Sequence, residues 1–193
     1  MDLLEYQGKQ LFARNGVPVP AGEVADTVDA AVEAAERIGY PCVIKAQVQI
    51  GGRGKAGGIK VAKNRAEAEE HAGAILGMDI SGPRGEGPFT VHQVWVESAA
   101  EIEAEYYASI ILDRSEKKLM TMLSVMGGMN VEEIAEKDPE ALVKRHVEPR
   151  DGFGEAQAQA LAEDAGVAED AREKTAALLV KLYEAFNDSD ATL

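Results

Sequence analysis

Apolar residues along this chain recur at two spacings. Some fall three and four positions apart, others at every second position or in short unbroken runs, and together they predict helices interleaved with strands. Leu3, Leu4, Leu11 and Phe12 share one side of a helix over residues 3–14 that Gly16 stops. Val17-Pro18-Val19-Pro20 must then run extended, because each proline fixes its own φ and restricts the residue before it. Val28, Ala31, Val32, Ala35 and Ile38 mark a second helix over Asp26–Ile38, ended by Gly39. Pro41–Val48 reads as a strand, Ile59–Ala62 as a returning strand, and Arg65–Leu76 as a helix closed by Gly77. Ser81–Pro88, with three glycines and two prolines, is a turn or exposed loop. Val91–Glu97 reads as a strand, and Tyr106–Leu112 with Leu119–Val125 brackets a polar turn in the pattern of a β-hairpin. Val131–Glu136 and Pro139–Lys144 read as short helical pieces. Glu155–Glu163 and Ala168–Phe186 are longer helices, the second striped by Ala176, Leu179, Leu182, Tyr183 and Phe186. Asn187–Asp190 is a turn, and Ala191-Thr192-Leu193 reads as the start of a strand. The fold class is therefore α+β with antiparallel sheet.

Composition narrows the function. At 193 residues, 46% hydrophobic and 28% charged, the chain is that of an ordinary globular protein. No apolar run approaches the roughly 20 residues that cross a bilayer, so no membrane association is expected. The start Met1-Asp2-Leu3-Leu4-Glu5 has no basic, apolar signal pattern, and Cys42 is the single cysteine, so a cytoplasmic location is expected. A net charge of −14 argues against nucleic acid as a partner. It also means that a bound polyanion would need locally concentrated positive charge. Gly51–Lys63 supplies it, with Arg53, Lys55, Lys60 and Lys63 and no acid among them.

Within that segment, residues 51–58 read GGRGKAGG, five glycines and two cations. Glycines let backbone N–H groups approach an anion, and the cations offset phosphate charge. A Walker A loop would need Ser or Thr after Lys55, where Ala56 stands. Gly52, Gly54 and Gly57 satisfy G-x-G-x-x-G, but a dinucleotide fingerprint needs a helix to begin at the loop, and Gly58-Ile59-Lys60-Val61 reads as a strand. Two readings stay open: a flap between two strands that covers phosphates, or a mobile surface turn. Lys45, on the strand before the loop, is either edge-exposed or a point charge for α/β-phosphates. Glu97 ends a strand before the small residues Ser98-Ala99-Ala100, a crossover that can present backbone to a base edge and a carboxylate to a ribose. Glu105 either faces that site or belongs to a solvated acidic face with Glu101 and Glu103. His71, His92 and His146 show no metal-ligand spacing.

The stretches LLEYQGKQLFARNGVPVP (3–20), VIKAQVQIGGRGKAGGIKV (43–61), VWVESAAEIEAEYY (94–107) and LSVMGGMNVEEIA (123–135) together resemble the succinyl-CoA synthetase β-subunit family, and the resemblance runs from Met1 to Leu193. It implies an ATP-grasp fold, with residues 21–102 as the smaller subdomain and 1–20 with 103–193 as the larger one. It implies a part in the tricarboxylic acid cycle: ATP, succinate and CoA give succinyl-CoA, ADP and phosphate through a phosphohistidine on a partner α subunit. No histidine here is then catalytic. The nucleotide-contacting positions it implies are Lys45, Gly52, Arg53, Gly54, Glu97, Ala100 and Glu105, and Pro20 stands where ATP users carry proline. The Mg²⁺ ligands and a C-terminal domain that meets the α subunit are expected beyond Leu193. Met126 and Asn130 stand where many members carry acids. Malate–CoA ligase and part of ATP-citrate lyase share the module. A non-catalytic nucleotide-binding or assembly module, or a dinucleotide binder, is the reading from another class.

Overall fold

The computed structural model describes residues 2–82, 85–128 and 131–191. By their contacts they form two compact units, Met1–Ala13 with Pro18–Glu101, and Arg14–Val17 with Ile102–Leu193.

The first unit is built on a four-stranded antiparallel sheet in the order β1-β6-β2-β3, with β1 at Gly22–Ala25, β2 at Cys42–Ala46, β3 at Ile59–Ala62 and β6 at Val94–Ser98. Register decides which residues share a face. Val24, Trp95, Lys45 and Ile59 lie opposite one another across the strands, as do Gly22, Glu97, Val43 and Val61. Because side chains alternate along a strand, Ala25, Cys42, Ile44, Ala46, Ala62, Val94 and Val96 point the other way. That second face is the core, covered by α2 (Val28–Ile38) and α3 (Arg65–Ile75). Both helices approach it on alanines, Ala31, Ala34 and Ala35 from one and Ala68 and Ala72 from the other. Thr27 and Asn64 cap their N-termini, accepting from Ala30 N at 3.2 Å and Glu67 N at 3.0 Å. The glycine- and proline-rich loop expected at residues 81–88 is bracketed by a two-residue pair, β4 (Asp79–Ile80) and β5 (Phe89–Thr90), too short to leave a periodic signal. The first helix, α1, spans Glu5–Arg14.

The second unit holds a three-stranded antiparallel sheet, β7 (Tyr107–Asp113), β8 (Lys118–Ser124) and β9 (Val143–Val147), in that order. The central strand is buried on both faces. Leu123 packs with Val147 against α5 (Glu155–Asp164) and α6 (Glu169–Asp188), while Met122 packs with Ile134 of α4 (Val131–Lys137) and with Leu142. Phe153 and Tyr183 meet at 5.6 Å, tilted by 48°.

Two expectations are corrected here. Pro139–Lys144 is not a helical piece: a 3-10 turn over Pro139–Ala141 gives way to β9, paired with β8 from Leu123↔Val143 to Leu119↔Val147. Helix-tolerant residues become strand because the open edge of β8 offers a complete ladder, which outweighs weak local propensity. The turn expected over Asn187–Asp190 starts later, since α6 runs to Asp188 and Asp190 then takes a left-handed φ of +46°. The strand start read at Ala191–Leu193 falls largely outside the described residues; Ala191 lies in no element and donates to Phe186 O at 3.0 Å.

Candidate functional site

The sheet face turned away from α2 and α3 carries Lys45, Trp95 and Glu97 beside the exposed apolar residues Val24, Ile59 and Val61. Charge is not excluded from this face, because α1 brings partners to it. Tyr6 stacks on the Trp95 ring, with centroids 6.2 Å apart and planes 19° from parallel. The Tyr6 amide donates to buried Gln47 Oε1 at 3.1 Å, and Gln47 Nε2 returns to Lys45 O at 3.2 Å, tying the helix to β2. Gly22 makes room for the indole: a Cβ there would stand 2.2 Å from a Trp95 ring carbon.

Five charged side chains then meet. Glu97, 6% exposed, accepts from Lys45, from Lys9 and from Trp95 Nε1, the last at 2.7 Å. Glu5 lies 3.0 Å from Lys9 Nζ and 3.3 Å from Lys45 Nζ through Oε1. Its Oε2 is 2.7 Å from Arg53 Nη2, as an ion pair rather than an aligned hydrogen bond. Burial works to raise the Glu5 carboxyl, but the hydrogen bond from Lys9 and the charges of Lys45 and Arg53 outweigh it and hold it down to about 2. Glu97 is likewise pushed up by burial and pulled further down by its bonds from Lys45, Lys9 and Trp95. Lys9 would fall on burial alone, but its bonds to Glu97 and Glu5 raise it. Three cations against two carboxylates leave one net positive charge here, in a chain of net charge −14.

The glycine loop connects β2 and β3, which pair antiparallel, so it is the tip of a hairpin and starts no helix. It folds on itself: Ala56 N donates to Gly52 O at 3.2 Å, Gly57 N to Gly54 O at 3.1 Å and Gly58 N to Arg53 O at 2.8 Å. Gly52 and Gly57 hold positive φ of 77° and 81°, which a side chain would strain. At Gly58 an added Cβ would meet Ile80 Cδ1 at 2.8 Å and Ala46 Cβ at 3.1 Å. Arg53 turns inward from the loop, donating to Ala46 O at 2.9 Å as well as pairing with Glu5.

Of the residues singled out from the sequence, Lys45, Arg53 and Glu97 thus come together on one face of the first unit. Gly52 and Gly54 sit exposed on its hairpin, and Pro20 and Ala100 are exposed at the same end of the antiparallel β1–β6 pair, where Ser98 N donates to Ala21 O at 3.0 Å. Glu105 belongs to the second unit. Gly127 N donates to its carbonyl at 2.9 Å, and its carboxylate fills the space a side chain at Gly128 would need. Met126 is half-buried against the Met122 cluster, with its amide donating to Ser124 Oγ at 3.1 Å; Asn130 lies outside the described residues. The sequence reading missed Glu5 and Lys9. Their i, i+4 spacing is the one local signal, and it resembles many solvent-facing helix pairs. Among the described residues no group of three or more His, Cys, Asp or Glu side chains could hold a metal ion, and no helix is long and apolar enough to cross a membrane.

Comparison with known proteins agrees with this architecture. A family model described as an ATP-grasp domain matches residues 2–193. The succinate–CoA ligase [ADP-forming] subunit beta of Natronomonas pharaonis is 48% identical over 192 residues, covering 100% of this chain and 49% of that relative. The chain thus spans about half the length of the curated relatives it matches. Among solved structures, a protein from Pyrococcus horikoshii superposes with a TM-score of 0.76 at 22% identity, over 96% of this chain and 77% of its own. A dinucleotide-forming acetyl-coenzyme A synthetase of Ca. Korarchaeum cryptofilum, in complex with coenzyme A, Ca-AMPCP and HgCl+, gives 0.74 at 18% identity, over 97% and 81%.

Proposed function

The chain belongs to the ATP-grasp family, and from that premise we propose that it is the nucleotide-binding portion of the β subunit of an ADP-forming succinate–CoA ligase. The observation that carries this is the convergence of Lys45, from the sheet, and Arg53, from the glycine hairpin, on Glu5 beside the exposed apolar residues Val24, Ile59 and Val61. Such a site suits a ligand with a flat apolar end and a polyanionic one. The base would lie on the exposed valine and isoleucine side chains, and the phosphates would reach the two cations and the hairpin. The 48% identity to a succinate–CoA ligase β subunit supports the same reading.

In this reading Lys45 acts as a point charge for the α/β-phosphates, and Arg53 grips a phosphate with its planar fork. Gly52 and Gly54 let the hairpin backbone approach the phosphates. Glu97 and the backbone beside Ala100 serve the base and ribose end, Glu105 makes a further nucleotide contact, and Pro20 favours adenine nucleotides. Magnesium would neutralise phosphate charge during transfer, and we assign its ligands to no described residue. The phosphoryl group would pass to a histidine of a partner α subunit, with succinate and CoA as the further substrates. His71, His92 and His146 have no part in it. The single, fully buried Cys42 is compatible with a reducing, cytoplasmic setting.

Calorimetric titration of the 193-residue chain with Mg·ATP, Mg·ADP, GTP and NAD tests the proposal. Adenine nucleotides should bind, and Lys45→Ala and Arg53→Ala should each weaken them roughly tenfold or more, the scale of a lost hydrogen bond to a charged group. Binding of NAD without ATP would sink the reading.

A further inference from the structure

Glu5 stands on the same cations that the nucleotide site needs. Its two carboxylate oxygens are divided between them, Oε1 at 3.3 Å from Lys45 and Oε2 at 2.7 Å from Arg53. A carboxylate and a phosphate oxygen are anionic acceptors of the same kind, so they contend for the same N–H donors. We propose that Glu5 sets the affinity of the nucleotide site, its carboxylate competing with nucleotide phosphate for Arg53 and Lys45. This rests on the nucleotide reading above.

The surrounding ion pairs make such an exchange inexpensive. If phosphate takes Arg53 and Lys45, Glu5 keeps Lys9 one helical turn away at 3.0 Å, so its charge is not stranded. Lys9 also holds Glu97, which leaves Lys45 free to turn toward phosphate without exposing an unpaired carboxylate. Arg53 depends on Glu5 most, since its other bond is to the neutral Ala46 carbonyl at 2.9 Å. The carboxylate remains ionised throughout the neutral range, its titration held down to about 2 by the cations around it, so the competition is always present. Glu5 is one-fifth exposed, and its partner in exchange would therefore reach it from solvent.

The test is calorimetry on the 193-residue chain carrying Glu5→Gln, Arg53→Ala or both, titrated with Mg·ATP, inorganic tripolyphosphate and adenosine. Glu5→Gln should tighten Mg·ATP and tripolyphosphate by roughly three- to tenfold, the range of one partly exposed ion pair, and leave adenosine unchanged. That gain should shrink at least by half in the Arg53→Ala background. If Glu5→Gln leaves phosphate affinity unchanged or weakens it, while Arg53→Ala still impairs ATP binding, the nucleotide reading stands and the competition is wrong. If wild type binds no ATP, both fall. Should circular dichroism show Glu5→Gln unfolded, Glu5→Asp carries the test. It keeps the charge beside Lys9 but withdraws it from Arg53, and roughly twofold tighter ATP binding is expected; no gain overturns the proposal.

Discussion

The ammonium of Lys9 donates to the carboxylate of Glu97, 88 residues further along the chain. That bond joins α1 to the sheet strand and makes the helix part of the charged cluster.

Removing the acceptor should therefore be costly. Glu97→Ala takes away the shared partner of Lys9, Lys45 and Trp95 Nε1 and leaves Lys9, Lys45 and Arg53 to share the one carboxylate of Glu5. We expect a loss of roughly 2–4 kcal/mol, somewhat below the range of about 3–5 kcal/mol for breaking a buried pair, because Glu5 remains and both lysines retain some water. Urea unfolding followed by circular dichroism measures it, and a change below about 0.5 kcal/mol would show that the cluster is not coupled to folding.

Glycines in the hairpin should differ sharply. Gly58→Ala pushes a methyl against Ile80 Cδ1 at 2.8 Å, Ala46 Cβ at 3.1 Å and Arg53 O at 3.2 Å, whereas Gly51→Ala meets nothing within 4 Å. The first should destabilise by roughly 1–3 kcal/mol, and the second by no more than about 0.5 kcal/mol. Equal melting temperatures for the two variants would contradict this packing.

Acid should expose Glu5. Its carboxyl titrates near 2 in the fold against 4.5 ordinarily. A depressed carboxyl adds stability that is complete above the unfolded value and is lost as pH falls through the folded one. The window is thus from about pH 4.5 down to about 2. Across it wild type should lose stability more steeply than Glu5→Gln, and parallel curves of unfolding free energy against pH would refute the assignment.

Cys42 should be inert in the native chain. It is 0% exposed, and burial raises its thiol above the ordinary range, so little thiolate forms and reagent cannot reach it. A disulfide reagent at pH 8 should label it only on unfolding; prompt labelling of native chain would mean that β2 is not where it is described.

Much of the fold was legible because it is written locally. The helices at Val28–Ile38 and Arg65–Ile75 announced themselves by spacing and by Gly39 and Gly77, and the hairpin of β7 and β8 by two apolar runs around a polar turn. Ala56 after Lys55 separated the glycine loop from a Walker loop, and strand context separated it from a dinucleotide loop. β9 was illegible for the opposite reason: residues 143–147 have no strand signal of their own and extend only because β8 offers an edge. Of the charged cluster, Lys45 and Arg53 drew attention in the sequence by their place beside the glycines, while Glu5 and Lys9 looked like an ordinary exposed helix pair.

What the sequence alone determined, then, was the order of the longer helices and of β2, β3, β6, β7 and β8, the hairpin character of residues 51–58 and the excess of positive charge beside it, all properties of neighbours along the chain. What the tertiary structure decided was which acid meets which base. The β2–β6 register sets Lys45 beside Trp95, two residues before Glu97 on the same face, and the docking of Tyr6 on Trp95 delivers Glu5 and Lys9 to them. A charge has no period, so its partner is fixed only when distant backbone segments are brought into register.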